Sequence, residues 1–331
     1  MHRHTKTTLL AVTAAAAVSG IAVAANYLLT KGLMDIALNR QIPVKSKKGQ
    51  AKLMGSEEEF TIMEQIAGNA DILRDKPHTV INLTAGDGTS LTGHWFEVKN
   101  AKRILIAMHG WRSSWCQDFG SIADFWQSQG CSVLYAEQRG QGNSGGDYMS
   151  FGLLERFDCL DWIKWVNENT NASLPIYLLG ISMGASTVLM ASELNLPSNV
   201  VGIGADCGFT SPEAIWKHVA QNNLRIPYGL HRRAVEDLCR KKINLSINDY
   251  SATQALANCK VPVLFIHGTA DSFVPIEMTY QNYKACSAPK RLFVVPDAEH
   301  GMSYLVDREG YEKETQQFWE TCERRWEEQH E

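Results

Sequence analysis

Apolar residues along this chain recur with two periods, and the two alternate. Short, nearly continuous apolar runs fall at residues 104–108, 133–136, 176–179, 200–205, 261–266 and 292–295. Runs of this length suit strands buried on both faces of a parallel sheet. Between them, residues 118–129, 153–168, 183–194, 275–285 and 304–325 carry apolar side chains at helical spacing. Two more strands, 79–84 and 91–98, flank Ala85-Gly86-Asp87-Gly88, which reads as a hairpin turn. The pattern predicts an α/β fold: a mostly parallel eight-stranded sheet with helices on both faces. One excursion interrupts the alternation. Residues 211–222 and 231–240 have helical spacing around Ile226-Pro227-Tyr228-Gly229, which predicts a small helical cap at about 207–250.

Ahead of this domain the pattern changes. No charge occurs from Thr7 to Thr30, and Leu9 to Leu29 is dominated by Ala, Val, Leu and Ile. Such a segment is long enough to cross a bilayer as a helix. Arg3 and Lys6 before it, with Ala22-Val23-Ala24 near its end, also match a cleaved secretory signal. The apolar pattern continues past Ala24 through Leu29, which favours an uncleaved single-pass anchor at 1–30 over secretion after cleavage. Basic residues flank both ends, so the side of the membrane stays open. Residues 31–56 read as a basic linker, and 57–331 as the folded domain, which begins with a helix at 57–73. A chain starting near Met54 is therefore expected to be soluble and active.

Composition removes some classes of function. The chain has 32 Lys+Arg against 36 Asp+Glu, a net charge of −4, which argues against a nucleic-acid partner. Its 8 cysteines form no CxxC pair and stand at no zinc-ligand spacing with histidine, so neither a metal site nor a disulfide framework is expected. No cofactor is implied.

In parallel sheets the functional loops lie at the carboxyl ends of the strands. After 176–179 comes Gly180-Ile181-Ser182-Met183-Gly184, then a helix: GxSxG in the strand–turn–helix setting of a nucleophile elbow. After 261–266 comes Asp271, and after 292–295 comes His300. The chain order Ser182, Asp271, His300 is that of a serine nucleophile, an orienting carboxylate and a general base on this type of sheet. Asp297 and Glu299 rival Asp271 for the carboxylate, and His267 rivals His300, but adjacency to His300 or a strand-end position suits them less. The backbone N–H groups of Met183 and of Trp111, in His109-Gly110-Trp111-Arg112, are the expected oxyanion donors. Arg112 reads either as a group that holds a substrate carboxylate or as a solvated loop arginine.

With these residues in hand, the chain from about 78 to 325 resembles the α/β-hydrolase superfamily. The resemblance rests on His109-Gly110, the Arg139-Gly140-Gln141-Gly142-Asn143-Ser144-Gly145-Gly146 stretch, Gly180–Gly184, Asp271 with Val274-Pro275, and His300-Gly301. The stretch at 139–146 is similar to the serine aminopeptidase branch with BEM46-like and cinnamoyl-esterase-like proteins, whose bacterial members also carry N-terminal hydrophobic helices. It implies a cofactor-independent serine hydrolase acting on a small acyl substrate, with the membrane as a second partner through the N-terminus. Carboxylic ester cleavage is the expected reaction. A peptidase or thioesterase would use the same triad, and a non-catalytic binding protein would share the fold. Trp216, Leu224, Ile226, Tyr228 and Leu230 are candidates for an apolar pocket under the cap, or merely pack it onto the sheet. The cap's Lys and Arg residues read as a solvated face.

Overall fold

The computed structural model describes residues 23–41, 57–170 and 174–328. Its sheet has the eight expected strands: β1 (Thr79–Thr84), β2 (Ser90–Phe96), β3 (Arg103–Met108), β4 (Cys131–Ala136), β5 (Ile176–Ile181), β6 (Val200–Asp206), β7 (Val263–Gly268) and β8 (Lys290–Val295). They are ordered β1-β2-β4-β3-β5-β6-β7-β8. β2 runs antiparallel to β1 and β4, and the remaining pairs are parallel.

The apolar runs are continuous because both faces of the central strands are covered. Ile104, Ile106 and Met108 of β3 enter one core, and Leu105 and Ala107 the other. β4 alternates likewise, with Leu134 and Ala136 on the first side and Val133 and Tyr135 on the second.

A helix over residues 23–38, α1, packs on the first face. The expected helix at 57–73 is present as α2 (Glu57–Asp75). That at 118–129 is two shorter helices, α3 (Trp115–Phe119) and α4 (Ala123–Ser128). The break falls at Gly120, where a Cβ would stand 2.7 Å from the backbone of Asn69 on α2. α5 (Glu155–Asn169) and α6 (Met183–Ala191) cover the first face.

The cap consists of α7 (Pro212–His218), a π-helical turn (Val219–Asn223) and α8 (Tyr228–Ile243). After it come α9 (Ala252–Ala257), which was not foreseen, and α10 (Ile276–Ala285). The C-terminal helix expected at 304–325 breaks at Asp307 into α11 (Ser303–Val306) and α12 (Arg308–Glu327), because the Asp307 side chain caps the Gly310 N–H at 2.9 Å.

The N-terminal expectations divide. Residues 1–22, which hold most of the proposed anchor, and residues 42–56 lie outside the described residues. Among the described residues no helix is long and apolar enough to cross a membrane. Residues 31–41 are not linker. Leu38 and Met34 are buried in the core, and the end of α1 is held by side chains from the sheet domain. The Trp111 indole donates to the Ala37 carbonyl at 2.8 Å, and the Arg112 guanidinium donates to the carbonyls of Ile36 and Asn39. These are carbonyls that a helix C-terminus leaves without partners. Arg112 is thus a helix clamp rather than a free anion binder. Lys242 of α8 adds an ion pair to Asp35 at 2.9 Å.

Arg139, at the end of β4, holds the glycine-rich stretch to its neighbours. Its guanidinium donates to both oxygens of buried Asp158 on α5 and, at 2.7 Å, to Asp87 in the β1–β2 turn. Asp206 closes β6 in a different way. Burial pushes its carboxyl up to about 6, against a hydrogen bond from Ser303.

Two consequences can be measured. A chain beginning at residue 42 loses α1 and uncovers the apolar surface beneath it. Its Tm should fall by several degrees and its activity with it, whereas equal stability would show that α1 is dispensable. For Asp206 the folded carboxyl titrates above its ordinary 3.8, so the folded state binds the extra proton and stability declines as pH rises from 4 through 6. Ionised Asp206 then costs on the order of 3 kcal/mol at neutral pH. Asp206→Asn should raise the urea midpoint at pH 7.5 and converge on wild type below pH 4. A variant less stable at pH 7.5 would contradict this.

Candidate active site

The turn between β5 and α6 can close only because two residues lack a Cβ. A Cβ on Gly180 would stand 2.3 Å from the Gly184 backbone, and one on Gly184 would stand 1.8 Å from the Met108 carbonyl of β3. Ser182 between them adopts φ 55°, ψ −115°, a strained geometry for a residue with a side chain. Its backbone is fixed on both sides: the N–H donates to the Asp206 carbonyl at 2.8 Å, and the carbonyl accepts from Ser186 N–H at 3.0 Å. The hydroxyl therefore projects at the N-terminus of α6, where the helix dipole favours negative charge.

The structure brings the three residues singled out in the sequence together. His300 Nε2 lies 2.8 Å from Ser182 Oγ, and His300 Nδ1 lies 2.7 Å from Asp271 Oδ2. Hydrogen-bond logic assigns the protons. Burial alone would raise the Asp271 carboxyl, but hydrogen bonds from His267, His300 and the Val274 N–H hold it well below the usual carboxylate range. An ionised carboxylate only accepts, so Nδ1 carries the ring hydrogen and Nε2 is free to accept from the serine hydroxyl. The other Asp271 oxygen accepts the N–H groups of Phe273 and Val274 at 2.9 and 2.8 Å. Asp271 thus builds its own loop while it orients His300.

The rivals occupy other places. His267 is fully buried behind Asp271: its Nε2 faces the Val274 carbonyl at 2.8 Å and Asp271 Oδ2 at 3.1 Å, and its Nδ1 faces the Thr279 hydroxyl at 2.7 Å. With two acceptors in front of Nε2, the hydrogen sits there, and His267 becomes a second donor that steadies Asp271. Asp297 and Glu299 are exposed, while His300 spends its two nitrogens on Asp271 and Ser182.

The loop after β3 lies against Ser182. A Cβ on Gly110 would stand 3.4 Å from Ser182 Cβ. The amides on either side of Trp111 are engaged at 2.6 Å each, Gly110 N–H with Asp118 and Arg112 N–H with Gln141. His109 beneath is neutral, since burial lowers its pKa. Its Nδ1–H donates to the Gly110 carbonyl at 2.8 Å, while Nε2 accepts from the Gln138 N–H at 3.2 Å. The roles of Asp118, Gln141 and His267 have no counterpart in the sequence reading. Only their positions two strands or one helix away give them meaning, and the sequence carries no local signal for that.

Cys207 is the other nucleophile type nearby, its sulfur within 4.8 Å of ligand atoms of Asp271 and His300. Burial raises its thiol well above the ordinary value, so it stays protonated and is a poor nucleophile or metal ligand.

A cavity of about 210 Å³ opens at Ser182 and His300 and runs past Gly110 and Asp118 toward Asp206 and Tyr311. A second, of about 160 Å³, lies between α1 and the cap. Trp216, Leu224, Ile226 and Tyr228 line this second chamber as the sequence suggested. Leu230 does not, and is 73% exposed, because it leaves the outer side of α8.

Comparisons with known proteins agree with this architecture. Residues 99–221 match a family model described as serine aminopeptidase, S33. The chain is 28% identical over 189 residues to YqkD of Bacillus subtilis (strain 168), covering 57% of this chain and 62% of that protein. It is 26% identical over 244 residues to YfhR of Escherichia coli (strain K12), covering 70% and 75% respectively. Among solved structures, the Pyrococcus furiosus esterase Pf2001 superposes with a TM-score of 0.61 at 21% identity, covering 74% of this chain and 93% of that one. An Exiguobacterium antarcticum esterase gives 0.54 at 19% identity, over 72% and 99%. Strand order, elbow and these likenesses together establish that the chain has the α/β-hydrolase fold.

Proposed function

We propose that the protein is a serine hydrolase that cleaves a carboxylic ester through an acyl-enzyme. The carrying observation is the continuous line from Asp271 through His300 to Ser182, at 2.7 and 2.8 Å, ending on a strained serine. Ser182 Oγ attacks the carbonyl carbon as His300 Nε2 takes its proton. Asp271 steadies the imidazolium, and the N–H groups of Met183 and Trp111 receive the oxyanion. His300 then protonates the leaving alcohol. A water activated by the same nitrogen releases the acid. The esterases among its structural relatives support the reading. An aminopeptidase, which the family description suggests, would need a carboxylate for the substrate's ammonium group. Among the described residues the two that line the Ser182 cavity, Asp118 and Asp206, are already engaged with Gly110 N–H and the Ser113 hydroxyl, and with Ser303.

Ser182→Ala should abolish labelling by a fluorophosphonate and lower kcat by at least about 10⁴-fold, with the circular-dichroism spectrum unchanged. More than a few per cent residual turnover in a pure preparation would refute the nucleophile.

Asp271→Asn should cost about a thousandfold or more in kcat, while Asp297→Asn and Glu299→Gln stay within a few fold. Wild type should lose activity as pH falls, because only a neutral imidazole can accept the serine proton, and Asp271 stays ionised throughout. The check is a kcat/KM profile against pH on one small ester. A crippled Glu299→Gln beside an active Asp271→Asn would move the acid elsewhere.

A further inference from the structure

We propose that the chamber between α1 and the cap takes the acyl chain of the substrate, and that the preferred chain is apolar and places about six carbons in the chamber. This rests on the serine hydrolase reading above and assigns its substrate class.

The chamber adjoins the chemistry at two points. Trp111 lines both it and the Ser182 cavity. Phe273, also in its wall, packs edge-on against the His300 ring with centroids 5.1 Å apart. On this proposal an acyl group bonded to Ser182 passes between them under the cap.

The lining suits hydrocarbon. Thr30 and His231 are polar, but they face each other at 2.6 Å, and the Thr30 hydroxyl also donates to the Asn26 carbonyl at 2.8 Å. No carboxylate, lysine or arginine lines the chamber among the described residues. Its size sets the length: about 160 Å³ is close to the roughly 150 Å³ of a dry cavity that accepts benzene, a six-carbon ligand.

One wall belongs to α1, through Leu33 and Met34, and that wall is fixed by the clamps on residues 35–39 from Trp111, Arg112 and Lys242. The N-terminal helix is therefore a specificity element, and its loss would turn the chamber into an open cleft.

The test is a series of p-nitrophenyl esters from acetate to dodecanoate on the full chain, beside labelling with an ethyl fluorophosphonate. Each methylene that enters the chamber should raise kcat/KM by up to about fourfold, from the free energy of burying one methylene, and chains that overfill it should lose the gain. Ala220→Phe, which fills the chamber from the cap, should move the optimum to shorter chains. Leu33→Ala, which enlarges it from α1, should move the optimum to longer ones. Opposite shifts cannot come from misfolding. A profile in which acetate is best, or an optimum that neither variant moves, would overturn the chamber assignment in a protein whose Ser182 is still labelled. Absence of both labelling and ester turnover would overturn the hydrolase reading, and this proposal with it.

Discussion

The steric contact between Gly184 and the Met108 carbonyl governs the architecture of the site. With 1.8 Å between that carbonyl and any Cβ at 184, α6 can lie against β3 only if position 184 is bare. Close approach of α6 brings the end of β5 beside the loop after β3, so the Ser182 hydroxyl and the Gly110–Trp111 backbone face one space. The strain at Ser182, of order 1–3 kcal/mol, is sustained because β6 accepts its N–H and the first turn of α6 grips its carbonyl. The sheet supplies the stability that this turn gives up. Central strands covered on both faces cannot relax to accommodate a softer turn without opening two cores at once.

Charge is managed by the same economy of contacts. Asp271 is buried, and desolvation by itself would neutralise it. Two histidine donors and two backbone N–H groups reverse that, and each is contributed by a segment near the ends of β7 and β8. Asp206, one strand away, has a weaker set of partners, and its carboxyl rises instead of falling. Two buried aspartates at adjacent strand ends thus acquire opposite tendencies from their donors alone. The one that faces His300 is the one kept ionised.

What the sequence made legible follows from how local each feature is. β3 through β7 announce themselves because burial on both faces leaves little room for polar residues. The elbow is a five-residue pattern, and Asp271 and His300 follow strands that could be counted. Features with distant partners were hidden. Gly120 has no room for a side chain because of Asn69, fifty-one positions earlier. Arg112 reads as a carboxylate holder or a solvated loop arginine until α1 is seen beneath it, and its partners Ile36 and Asn39 lie over 70 residues away. His267 looked like a competitor for His300 because sequence order cannot tell the front of a carboxylate from its back.

The N-terminal helix is the sharpest case of this limit. Thr30, Leu33, Met34 and Leu38 are spaced for one helical face, and an apolar face has no sequence mark that distinguishes protein from lipid as its solvent. The structure separates the two faces. Met34 and Leu38 are buried against the domain, whereas Val23, Leu28 and Leu29 remain exposed on the side away from it. The carbonyls at the helix end settle why it docks where it does. A C-terminus needs donors, and Trp111 and Arg112 provide them from the loop that also approaches Ser182. The residues that pin the helix and the backbone expected to bind the oxyanion are therefore one short segment, held from below by His109 and from the side by Gln141. Whatever displaces α1 must also loosen that segment, so the helix cannot be treated as an appendage to a finished active site.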